Sequence, residues 1–325
     1  MDFTFLTEDQ IWGDDALDVM KKYGTAVAPT DLTAILGGVM NSAGGTKTSE
    51  GETTCASWSA SSTEYEDVRC VDPEGDNNWS STYRRSISAR PALPPSEASK
   101  ISPSEARAIA GIRVAEYGEY PQTVADERTS EKLERLHDSR SLRPTGKNYT
   151  FDSVGLTDYD TPFKATSYQE YEMDGKRYIR VLGRRPYDDD SKLSTGEQVE
   201  EGKPYWVEVQ PIEWLMDRSG TMVAKKCLFA GIQFDTNKRH DGDFSKTSMK
   251  HYLDTYFAKE MEPTERMASR EKNISKISLL RAVVAPNISK EKGEVNPKMS
   301  AEEKKIRLDA AIQTLQSIKV KDITN

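Results

Sequence analysis

Residues Thr53 to Pro95 hold the densest set of side chains able to make directed polar contacts: TTCASWSASSTEYEDVRCVDPEGDNNWSSTYRRSISARPALPP. Ser, Asn, Asp, Tyr and Arg stand between two tryptophans, Trp58 and Trp79. Tyrosine supplies rigid contact area and Ser and Asn supply adaptable hydrogen bonds, so the mixture suits recognition. The chemistry it implies is holding a partner, not transforming one. An ordinary hairpin with a polar outer face accounts for the same residues equally well.

No catalytic set competes with this segment. His137, His240 and His251 are the only histidines, and none has ligand spacing to another. There is no GxSxG elbow and no HExxH pair. Cys55, Cys70 and Cys227 are odd in number and lack a CxxC spacing, which argues against a zinc site or a disulfide framework and predicts three free thiols. Cys227 lies in an apolar run and is expected to be a core residue and the least reactive thiol. Asp188-Asp189-Asp190 reads as a solvated loop. Asp72, Glu74, Asp76 and Asn77 flank a turn without the ligand spacing of an EF-hand. The expectation is therefore no cofactor, no metal and no enzyme activity.

The elements that must position this segment follow from pattern. Glu66–Val71 alternates, Asp72-Pro73-Glu74-Gly75 reads as a tight turn, and Tyr83–Ala89 is the expected return strand. Trp58 and Trp79 are expected as buried anchors of this hairpin. Val114–Val124 is a strand, 126–140 a charged helix, and Tyr168–Leu182 a hairpin turning at Asp174-Gly175. Tyr205–Asp217 and Met222–Phe234 read as a strand pair, with Pro211 at a bulge or edge. The Trp206, Trp214 and Tyr205 set falls at strand spacing and reads as core. Asp14 or Asp15 is expected to cap a helix that Gly24 stops, Thr30 to cap a short helix over Leu32–Leu36, and Thr247 or Ser248 to cap a longer one. Ser300-Ala301-Glu302-Glu303 is a capping box, and Leu308, Ile312, Leu315 and Ile318 make the stripe of a C-terminal helix. Strands interleaved with few helices give an α+β class.

The chain has 325 residues, a net charge of -8 and a mean hydropathy of -0.72. The negative charge disfavours nucleic acid as a partner. No apolar run approaches the roughly 18 residues of a membrane helix, so no membrane insertion is expected. Met1-Asp2-Phe3-Thr4 carries neither a basic nor an apolar leader region, so synthesis in a bacterial cytoplasm without a signal peptide is expected.

Several stretches carry a resemblance. Glu116-Tyr117-Gly118-Glu119-Tyr120-Pro121-Gln122 resembles the G-x-Y-P-Q opening strand of a domain widespread in gut Firmicutes and their phages. Val207–Leu215 and Lys225–Phe234 resemble its following strands, Ser248–Met261 its helix, and Thr54–Leu93 its terminal unit ending in Arg90-Pro91-Ala92-Leu93. The domain has the C-type-lectin fold of formylglycine-generating enzymes and of the variable proteins of diversity-generating retroelements. Here the RPAL unit precedes the YPQ strand, so the implied fold is C-type-lectin-like with permuted or inserted elements and a C-terminal helix. The implied division is 1–262 as a ligand-binding domain with 53–95 as its candidate variable region, 263–298 as a polar connector, and 299–325 as the helix.

The resemblance implies a non-enzymatic protein that presents residues 57–88 to a protein or glycan ligand and can be incorporated in a phage virion. Trp58, Gly75, Trp79, Arg90 and Pro91 would be scaffold. The exposed variable set would be Ser57, Ser59, Ser61, Asp72, Pro73, Asn77, Asn78, Ser80, Ser81, Tyr83, Arg84 and Ser86. Apart from the resemblance, the apolar stripe of the C-terminal helix is expected either to mediate self-association into a homo-oligomer or to dock on the main body, with assembly favoured. Two other readings stand beside this one: a structural or assembly protein of a phage particle, and a divergent oxidase-like enzyme, whose reactive cysteine arrangement Cys55, Cys70 and Cys227 do not match.

Overall fold

Two long segments rich in β-branched and aromatic residues form the axis of the fold. The structure, a computed structural model, describes residues 1–40, 46–63, 67–186, 191–236 and 242–262. The expected C-terminal helix, the connector before it and Asp188–Asp190 lie outside the described residues.

The main sheet contains β4 (Ala92–Leu93), β5 (Ser104–Ile109), β6 (Ile112–Val124), β7 (Arg143–Asp152), β8 (Ala165–Met173), β9 (Lys176–Leu182), β10 (Pro204–Met216) and β11 (Met222–Ala224). Strand β10 is its centre. One side pairs with β6 along almost its whole length. The other side pairs with β9 through Pro204–Glu208 and with β11 through Trp214–Met216. Strands β8 and β7 extend the β9 side, β4 extends β11, and β5 extends β6. All these pairings are antiparallel. The expected bulge at Pro211 is present: the β10–β6 register shifts between Pro211 and Glu213. A proline lacks the N–H a ladder needs, so the ladder steps past it. The β8–β9 hairpin turns at Asp174 (φ 53°) and Gly175 (φ 78°), the left-handed pair that a two-residue turn requires.

A second, smaller sheet has the order β1 (Ser57–Ser62), β2 (Asp67–Val71), β3 (Asn77–Ser81). The helices among the described residues are short: α1 (Glu8–Ile11), α2 (Asp18–Tyr23), α3 (Asp31–Ile35), α4 (Pro95–Ala98), α5 (Glu127–Asp138), then α6 (Ser248–Tyr252) and α7 (Ala258–Glu260) joined by a π-helical turn at Leu253–Phe257. None is long and apolar enough to cross a membrane. The architecture is α+β with mostly antiparallel sheets. All these elements lie in one unit, Met1–Glu262.

Caps explain most helix ends. Thr30 Oγ1 accepts from the Thr33 amide and Thr247 Oγ1 from the Lys250 amide, as expected from sequence. Gly24 ends α2 at φ 109°. Neither Asp14 nor Asp15 caps α2; its N-cap is Leu17, with no side-chain bond, and the Val19 amide donates instead to Asp217 Oδ1 at 3.1 Å. A tertiary carboxylate has replaced a local cap.

Met222–Phe234 is a strand only over Met222–Ala224. Beyond it the chain threads between two other segments: Cys227 donates to Ala28 O, Leu228 to Ala89 O, Gly231 to Arg85 O and Asp235 to Thr82 O. Its apolar residues are core because of this threading, not because of strand pairing. Trp58, Trp206, Trp214, Tyr120, Phe229 and Phe234 are fully buried or nearly so. All three cysteines are free and buried. Burial pushes the Cys70 thiol up to about 12 and the Cys55 thiol well above its usual value. Cys55 lies against Cys227.

Glu260 is half-buried at the end of α7 and accepts from the Thr150 amide at 3.0 Å. Burial raises its pKa above 4.5. A raised carboxyl pKa contributes stability that is complete below the unfolded value and is lost as pH rises through the folded one. Glu260→Gln keeps an acceptor for Thr150 and cannot ionise. Its melting temperature is therefore expected to gain on that of the native chain as pH rises above 4.5. Paired melts across that range check this; a constant difference would remove Glu260 from the pH response.

Candidate functional site

The β2–β3 hairpin carries the centre of the predicted recognition segment, and its turn is built as the sequence implies. Asp72 Oδ1 accepts from the amides of Glu74 and Asp76 at 3.0 and 2.9 Å. Gly75 sits at φ 95°, and a Cβ there would lie 2.7 Å from Thr25 Oγ1, so only glycine fits. The Gly75 carbonyl accepts from Thr25 Oγ1 at 2.7 Å and from Trp12 Nε1 at 3.2 Å, which fixes the turn to the body. Among the described residues no cluster of three or more His, Cys, Asp or Glu could hold a metal ion.

Register decides which side chains face outward. Arg69 lies opposite Trp79, Val68 opposite Ser80, and Cys70 opposite Asn78. Val68 and Cys70 are buried, so Ser80 shares the inner face and Trp79 the outer one. Trp79 is 58% exposed. The expectation that it anchors the core is overturned: one residue of parity in an edge strand placed it on the surface. Trp58 is the buried tryptophan of the pair and packs on Phe234 at 5.2 Å between centroids.

The expected return strand Tyr83–Ala89 is also corrected. The return strand is β3, and 83–89 is irregular, with Ser88 bridged to Ser57. The cause is Arg85, whose side chain is fully buried. Its Nε pairs with Asp152 Oδ2 at 3.1 Å, and its terminal nitrogens donate to the carbonyls of Asp158 and Thr161. Asp152 Oδ1 in turn accepts from the amides of Val154 and Lys164 at 2.9 and 3.0 Å. Arg184 donates to the carbonyls of Asp152 and Val154, and burial lowers its pKa. Gln233 Nε2 donates to Tyr159 O at 3.1 Å. Arg85 thus ties loop 153–164 to the segment after β3, while Arg184 and Gln233 hold the same loop to the segments after β9 and β11.

That tie brings Tyr159 onto Tyr83, with ring centroids 5.1 Å apart. Trp79, Ser80, Ser81, Tyr83, Arg84 and Tyr159 line a shallow cavity of about 210 Å³. Tyr159 is 40% exposed, Tyr83 half-buried and Arg84 exposed. Clustered aromatic rings beside a guanidinium are the side chains that dominate binding energy in protein interfaces.

The twelve predicted contact residues divide sharply. Ser57, Ser59, Ser80 and Ser86 are buried, so the expectation that they are exposed is overturned. Ser57 and Ser59 lie in β1, whose first half packs against the body, and Ser86 follows the inward-pulled Arg85. Ser61, Asp72, Pro73, Ser81 and Tyr83 are half-buried; Asn77, Asn78 and Arg84 are exposed. Several spend their polar atoms internally: Ser61 Oγ accepts from the Glu8 amide, Asn77 Nδ2 donates to Glu8, Asn78 Nδ2 to Asp72, and Ser81 Oγ to Asp67. The structure gathers Ser80, Ser81, Tyr83 and Arg84 in one cavity and adds Trp79 and Tyr159. Tyr159 comes from a segment of mixed polarity with no pattern of its own, and Arg85 helps to join that segment to the chain after β3. No protein-family model matches this chain, and comparison with curated proteins and with solved structures returns no match either.

Proposed function

We propose that this chain is a non-enzymatic ligand-binding protein in which a C-type-lectin-like scaffold presents the Trp79, Tyr83, Arg84 and Tyr159 patch to a protein or glycan. The observation that carries the reading is the exposure of a tryptophan and a tyrosine beside Tyr83 and Arg84, next to a segment that the buried Arg85–Asp152 pair holds in place. Rigid aromatic side chains on a fixed frame bind at low entropic cost. Support for the scaffold comes from the resemblance and from the place of the RPAL unit: Arg90 is buried with its Nε on Ala224 O at 2.9 Å, and Ala92 and Leu93 pair with β11. Support for diversification comes from Asn77 and Asn78, exposed residues of the type that adenine mutagenesis of a template would act on.

Two experiments test the reading. Sequencing the source locus is expected to show a reverse transcriptase and an adenine-rich template repeat matching the codons of 77–84. Ligands selected with the native chain from a displayed peptide library and a glycan array are expected to bind Tyr83→Ala or Arg84→Ala more weakly by about 1–3 kcal/mol, with unchanged melting. Full retention of the selected ligand by both variants would refute the recognition surface.

A further inference from the structure

A second concavity lies on the far end of the loop that carries Tyr159. It encloses about 520 Å³ between loop 153–164, the Asp235-Thr236 segment and the start of α6. Phe163, Tyr252 and Tyr256 form a continuous wall, with centroids 5.8 Å apart from Phe163 to each tyrosine and 5.6 Å between the tyrosines. Tyr252 is fully buried and its hydroxyl donates to Thr150 O at 2.6 Å, so it backs the wall rigidly. Phe163 and Tyr256 stay partly open. Asp235, Thr236 and Ser248 line the same cleft. Their side chains are ordered by one another: Thr236 Oγ1 and Ser248 Oγ are 3.3 Å apart, and Ser248 Oγ donates to Asp235 Oδ1 at 3.4 Å.

We propose that this cleft is a binding site for a saccharide ring, separate from the Trp79 patch. A pyranose presents an apolar C–H face and an edge of hydroxyls, and the cleft offers an aromatic wall beside a carboxylate and two hydroxyls. Pockets of this kind use apolar walls for affinity and a few placed polar groups for orientation. Position argues against an extended peptide, because among the described residues the lining comes from loops and helical turns and includes no strand residue. The same Arg85 contact at Thr161 O holds the loop two residues before Phe163, so the wall is fixed in advance of binding.

The test is a glycan array probed with the full chain, followed by saturation-transfer NMR with the methyl glycosides of galactose, glucose and N-acetylglucosamine and of any array hit. Transfer to the C–H face of at least one sugar is expected. Tyr256→Ala is expected to weaken that sugar about tenfold, while Trp79→Ala leaves it unchanged. If Tyr256→Ala melts early, Tyr256→Leu removes the ring while keeping apolar volume and takes its place. The proposal is overturned if no sugar gives transfer, if transfer survives loss of the Tyr256 ring, or if it disappears in Trp79→Ala. The last outcome would move the saccharide to the patch and leave that proposed function standing.

Discussion

Replacing Arg85 by methionine is expected to destabilise the fold by about 3–5 kcal/mol, read by urea unfolding. The pair it forms with Asp152 is fully buried on both sides. Methionine fills similar space but leaves the Asp152 carboxylate without its cation and strips the carbonyls of Asp158 and Thr161 of their donors. Removing one member of a buried pair exposes the survivor to the full desolvation penalty, which exceeds what the intact pair contributes. Arg85→Lys is expected to recover only part of the loss, because an ammonium cannot reach acceptors spread around a guanidinium fork. Proteolysis within 153–164 should accelerate in both variants, since this loop hangs on the same contacts. A loss below about 1 kcal/mol for Arg85→Met would show that the loop is held by Gln233 and Arg184 instead.

The two tryptophans of the recognition segment are expected to respond oppositely. Trp58→Ala should cost about 3–5 kcal/mol, because the ring is nearly fully buried against Phe234 and its removal opens a cavity in the main core. Trp79→Ala should stay within about 0.5 kcal/mol, because its ring lies on the outer face of an edge strand. Chemical denaturation of both variants decides it. Equal losses would mean that the β2–β3 register is wrong by one residue, since such a slip exchanges the two faces. If Trp79→Ala is stable, any fall in ligand affinity it causes belongs to contact and not to unfolding.

Legibility of the site followed the range of the interaction. The Asp72–Gly75 turn, the Thr30 and Thr247 caps and the Asp174-Gly175 hairpin were readable because a local residue type meets a local backbone need. Trp206 and Trp214 were readable as core because they lie in a long strand rich in apolar neighbours. Trp79 was not, because both faces of Asn77–Ser81 are polar apart from it and alternation gives no parity there. The Ser57, Ser59 and Ser80 exposures failed for the same reason, since small hydroxyl residues fit either face of a strand and packing on the other side decides; Ser86 is buried because it follows Arg85 inward.

By itself the sequence determined the α+β class, the long strands, the hairpin turns and the absence of any histidine or cysteine set at metal-ligand spacing. These rest on periodicity, caps and residue counts, which need no knowledge of distant neighbours. Only the tertiary structure decided that Cys55 lies against Cys227, that Met222–Phe234 leaves its strand after Ala224, and that Tyr159 joins Tyr83. Each of these depends on partners 70 to 200 positions away in order of magnitude. The joining residue, Arg85, has a guanidinium that sequence rules place on the surface. It is inside because loop 153–164 delivers a carboxylate and two carbonyls to it, and those acceptors exist at that place only once the chain has folded.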